Sequence, residues 1–115
     1  MSTPDQLIIF RRSYAFTLWL LKHTNTFPKS HRFSVAVKME NTALDILELI
    51  SLANMSQHKL KYLIPVDKKI AGLKIWIRLC YDMKFISVKS YEHAAKECVE
   101  MGKMLGGWLK QLKSV

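Results

Sequence analysis

A chain of 115 residues, half of them apolar, is the size of one domain with a real core, and residues 1–115 are read as a single domain. Three prolines and four glycines are too few to punctuate the many short strands of a sandwich or barrel. Eighteen Lys and Arg against nine Asp and Glu give a formal net charge of +9, which attracts polyanions, either nucleic acid or acidic protein and lipid surfaces.

Hydrophobic periodicity divides the chain into four helices. The first runs from about Asp5 to His23, with Pro4 and Asp5 suited to a helix start. Its apolar stripe is read as Leu7, Phe10, Tyr14, Leu18 and Leu21, and Pro28 lies one turn past its end. The second helix starts near Ser30 as N-cap and buries Met39, Ala43, Ile46, Ile50 and Ala53. Lys38, Asn41, Asp45 and Glu48 form its polar face, and Asn54 is the expected stop.

The third helix follows Ser56, another candidate N-cap. Its seam is Leu63, Val66, Ile70, Leu73, Ile77 and Cys80, stepping alternately by three and four. Pro65 removes a backbone hydrogen bond and predicts a kink or restart, and Gly72 loosens the same helix. The fourth helix begins after Ile86 with Ser87 as cap. Tyr91, Ala94, Cys98, Met101, Leu105, Trp108 and Leu112 form its seam, and Lys89, Lys96, Lys103 and Lys110 repeat every seven residues on another face. Short connections make consecutive helices antiparallel neighbours, so the expected fold is all-α, an up-down-up-down four-helix bundle.

Little in this pattern serves catalysis. His23, His31, His58 and His93 share no metal-ligand spacing, and Cys80 and Cys98 sit on core stripes where a thiol acts as a small hydrophobe. Asp45 and Glu48 share a helix face, as neighbouring acids on solvated helices usually do. The expectation is a protein with no catalytic residues, no metal and no cofactor. No secretory signal opens the chain, and Lys and Arg interrupt every apolar stretch before the ~20 residues of a membrane span. A reduced, cytoplasmic location with no membrane partner follows.

The basic residues cluster as Arg11 with Arg12, Lys29 with His31 and Arg32, and Lys74 with Arg78, the last pair one helical turn apart. Such groups favour phosphate backbones over base edges. Gly102 and Gly106, each costing ~1 kcal/mol in a helix, imply that another backbone comes close, from the same bundle or a neighbouring subunit. Trp19, Trp76 and Trp108 are anchors for the core or for a subunit interface.

Three segments carry a family resemblance. Met101-Gly102-Lys103-Met104-Leu105-Gly106-Gly107-Trp108, continued by Leu109-Lys110, resembles the closing motif of the accessory variability determinant (Avd) proteins of diversity-generating retroelements. Phe27-Pro28-Lys29-Ser30-His31-Arg32-Phe33 resembles the family's loop between its first two helices, and Leu73-Lys74-Ile75-Trp76-Ile77-Arg78 its basic third-helix segment. The resemblance implies a homopentameric barrel of four-helix subunits with a positively charged surface. It implies the retroelement reverse transcriptase and its template RNA as partners, in support of mutagenic cDNA synthesis. By the same resemblance Lys29, Arg32, Lys74 and Arg78 bind nucleic acid or partner, whereas Arg11 and Arg12 rest on charge alone. Gly102, Gly106 and Trp108 are read as packing or interface residues. Four-helix proteins of ribosomal RNA intervening sequences share the general pattern and stand as an alternative. A structural bundle that meets an acidic protein is another.

Overall fold

The computed structural model describes residues 4–113, and the side chains of residues 7–30 and 34–113. Helix α1 spans Pro4–Thr24 and α2 Lys29–His31. A π-helical segment, Arg32–Ala36, leads into α3, Val37–Met55. Helix α4 covers Lys59–Asp82 and α5 covers Val88–Lys113. The π segment joins α2 to α3 without a break, so the three together form the predicted second helix. Helix α1 packs on α3, α3 on α4, α4 on α5, and α5 returns to α1, which closes a four-helix bundle of 47 × 22 × 19 Å.

Three of the four predicted seams are the ones that pack. The stripes from Met39 to Ala53 and from Leu63 to Cys80 are wholly buried, as is Ala94 to Trp108 on α5. Between α3 and α4, the Cys80 thiol lies 3.4 Å from the Met39 thioether sulfur.

Helix α1 is the exception. Its buried face is Ile9, Ser13, Phe16, Thr17, Leu20 and Thr24, whereas Leu7, Tyr14, Leu18 and Leu21 are 39–51% exposed. The two stripes are offset by two residues, roughly 200° around a helix, so they lie on opposite sides. The more apolar stripe therefore faces outward. The inner one tolerates three hydroxyls because each is satisfied locally. Ser13 donates to the Phe10 carbonyl at 3.0 Å, Thr17 to Ser13 at 2.7 Å and Thr24 to Leu21 at 3.3 Å. Thr24 also donates to the Glu40 carboxylate on α3, which ties the two helices together.

The helix ends depart from the sequence reading in detail. Ser87 caps α5 as expected, its Oγ accepting the Ser90 amide at 3.1 Å. Ser30 lies inside α2, so it is not the cap. Ser56 is extended and ends α3, and its Oγ accepts the His58 amide at 2.9 Å. Asn54 stays within α3, because Lys59 supplies the stop instead. The Lys59 ammonium donates to the carbonyls of Ala53, Ser56 and Asn54 at 2.8, 3.0 and 3.4 Å, at the helix end where carbonyls lack a full set of helical partners, and the Ala53 carbonyl also accepts the Ser56 amide at 3.3 Å.

Pro65 starts no new helix, and α4 runs through it. Gly72 likewise does not break α4: a Cβ there would lie 3.1 Å from the Trp76 ring, so the glycine makes room for the indole. Trp76 in turn lies 5.2 Å beneath the Lys38 ammonium of α3.

Candidate nucleic-acid interface

Helix α5 lies between α1 and α4, and basic residues border it on both sides. From α4 come Lys74 and Arg78, both exposed. Arg78 lies 5.9 and 6.0 Å over the rings of Tyr81 and Tyr91, which are themselves stacked at 4.6 Å. Hydrogen bonding to Tyr91, then the charge of Asp82, raises the Arg78 pKa further. The Nε of Arg78 reaches both Asp82 oxygens at 3.1 and 3.2 Å. This guanidinium is thus oriented but partly neutralised, and Lys74 is the freer phosphate ligand of the two.

From α1, Arg12 meets Glu97 of α5 at 3.4 Å, while Arg11 is exposed. Lys89, Lys96, Lys103 and Lys110 are all exposed along α5. The sequence showed this stripe, but lysines seven apart are so common on solvated faces that spacing alone gave them no role. The neighbouring helices are what make them the centre of a surface.

The loops at one end of the bundle add to it. Phe27, buried before α2, packs on Phe85 at 5.4 Å, so the turn holding Lys29 is fixed against the α4–α5 turn. That second turn closes α4 with the Lys84 and Phe85 amides bonded back to Tyr81 and Cys80 at 3.0 and 2.9 Å. Lys84 takes a left-handed φ of 63°, a position that favours glycine. Lys29, Lys84, Arg78 and Lys89 therefore gather at this end. Lys84 was missed in the sequence because its turn carries no glycine signal. The Arg32 side chain falls outside the described residues.

The remaining candidates divide differently. Trp108 is 3% exposed and belongs to the core, with its Nε1 unpartnered. Among the described residues, apart from the helix's own backbone and the chain neighbours, nothing lies within 4 Å of a Cβ placed on Gly102, Gly106 or Gly107, so there these glycines serve no close backbone approach inside the bundle. Trp19 stacks on His23 at 4.0 Å and lies 4.9 Å from His93. Burial pushes the Cys80 thiol up to about 11 and Cys98 up to about 12, the reverse of an activated nucleophile. Among the described residues no three His, Cys, Asp or Glu side chains gather to hold a metal, and no helix is long and apolar enough to cross a membrane.

The model of the bAvd-like family matches residues 7–112, a span that takes in all four packed helices and every basic cluster described above. The chain belongs to the bAvd-like family. The crystal structure of a protein of unknown function from the S23 ribosomal protein family of Bacteroides thetaiotaomicron VPI-5482 superposes with a TM-score of 0.84. It is 16% identical, over 92% of this chain and 98% of that one, so it shares the fold. No curated protein matches the chain.

Proposed function

We propose that this bAvd-like protein is a non-catalytic accessory protein of a diversity-generating retroelement, working in the cytoplasm. Its basic surfaces bind the reverse transcriptase and the template RNA or cDNA, and so support mutagenic cDNA synthesis. The observation that carries the reading is the cationic surface around α5, with Lys74 and Arg78 on one border and Lys29 and Lys84 at its end, in a chain of this family. Nucleic acid would be held by its backbone, since lysines and one partly paired arginine offer charge rather than base-edge recognition.

The exposed stripe Leu7, Tyr14, Leu18 and Leu21 supports assembly into the homopentamer. Large apolar residues in a row on a helix that already has a buried face mark a surface for another subunit. In that ring Gly102 and Gly106 would meet a neighbour.

The test is the light-scattering mass of the purified protein, alone and with structured RNA, at low and high salt. A pentamer that takes up RNA at low salt and releases it at high salt is expected. Replacing both Lys74 and Arg78 by alanine should flatten the dependence of log affinity on log salt by roughly one to two units, about 0.9 per phosphate contact. A monomer indifferent to RNA at low salt would defeat the proposal.

A further inference from the structure

The far end of α5 holds a second feature. Lys103, Met104, Gly107, Trp108, Lys110 and Gln111 form one side of a cleft of about 550 Å³, and Ile8 of α1 forms the other. Gly107 faces open space there: among the described residues, apart from its own helix backbone and chain neighbours, nothing lies within 4 Å of where its Cβ would be. On the other side of α5, Gly106, Leu109 and Lys110 line a separate recess that includes Asp67 of α4. Among the described residues the α1-side cleft is lined by no acid, but by two lysines and a largely apolar floor.

We infer that this cleft is a docking groove for an acidic amphipathic helix of a protein partner. The inference rests on the cleft itself and not on the nucleic-acid role proposed above. Lys103 and Lys110 are seven residues apart, about 10 Å along the helix axis. Carboxylates seven apart on a partner helix have the same spacing. Between the lysines, the recess over Gly107 takes an apolar side chain against Ile8 and Met104, the helix-in-groove mode of recognition. A methionine wall adapts to such anchors.

Two observations weigh against nucleic acid here. The cleft's one aromatic residue, Trp108, exposes almost no surface on which a base could stack. Its floor is aliphatic and thioether, which phosphates do not use. Lys103 is 72% exposed and only loosely paired with Glu100 at 3.9 Å, so a partner carboxylate can displace that contact.

The experiment is a selection from a displayed library of amphipathic helical peptides against the full chain, followed by fluorescence anisotropy of the enriched peptide. Enriched sequences should carry Asp or Glu seven apart with an apolar residue between them. Gly107→Leu fills the cleft with space to spare and replaces a poor helix former, so the variant folds. It should weaken peptide binding at least about tenfold, as should the pair Lys103→Glu and Lys110→Glu. A peptide with lysines in place of its acids should recover affinity for that charge-reversed pair. Circular dichroism and melting of each variant keep folding separate from binding. The inference is overturned if enriched peptides show no acidic spacing or bind Gly107→Leu as tightly as the parent. It is also overturned if Gly107→Leu abolishes binding of a structured RNA instead, or lowers the mass of the free protein, which would make the occupant RNA or a second copy. In Gly107→Leu, loss of peptide binding with RNA binding intact distinguishes this groove from the nucleic-acid surface, of which Lys103 and Lys110 are themselves part.

Discussion

Lys59 offers a direct test of how the bundle is held at its α3–α4 turn. Its ammonium spends all three donors on the carbonyls of Ala53, Ser56 and Asn54. Lys59→Met keeps the aliphatic stem and removes those bonds together with the positive charge at the helix C-terminus. A hydrogen bond to a charged group contributes about 1.5–3 kcal/mol, and a cation at a helix C-terminus about 0.3–1 kcal/mol. Lys59 is only half-buried, so water re-solvates some of the freed carbonyls and the expected loss is the lower end, about 2 kcal/mol. For a domain of this size that lowers Tm by roughly 5–10 °C. Urea and thermal unfolding followed by far-UV circular dichroism measure the loss, with Lys61→Met as control, because Lys61 is exposed and its ammonium lies 5.4 Å over the Tyr62 ring. If the Lys59 variant unfolds together with the control, the ammonium is not what closes α3.

Lys84→Gly should raise stability by roughly 0.5–1 kcal/mol in a urea titration, since glycine accepts the left-handed backbone at that turn without strain. The same variant should weaken RNA binding if Lys84 is kept there for its charge. Leu18→Glu should leave helical content and unfolding midpoint nearly unchanged, because the residue is 44% exposed, yet lower the mass seen by light scattering. The two thiols should make the fold sensitive to alkali. Each is held neutral by burial, with its pKa raised from 9.0 to about 11 for Cys80 and about 12 for Cys98. Their contribution is whole below about pH 9 and is lost as pH rises toward the folded values. Cys98→Ala should reduce that loss between neutral and alkaline urea titrations, and an unchanged pH slope would refute the argument.

The sequence alone determined the all-helical class, the second, third and fourth seams and the Ser87 cap. Each is set by spacing within one helix or by a local hydrogen bond. It determined the basic clusters as well, but not their worth. Only the packed helices show that Arg78, paired with Asp82 one turn on in its own helix, also lies over Tyr91 of α5, that Arg12 is engaged by Glu97, and that the α5 lysines lie between other cations. Helix α1 marks the limit most clearly. It carries two stripes on opposite faces, and periodicity favours the one with more apolar residues. Which stripe faces inward depends on whether Ser13, Thr17 and Thr24 can satisfy their hydroxyls within their own helix, and on whether Glu40 of α3 stands where Thr24 can reach it. Those conditions belong to the assembled bundle. So does the cleft over Gly107, since a missing side chain becomes a groove only where Ile8 of another helix forms its far wall.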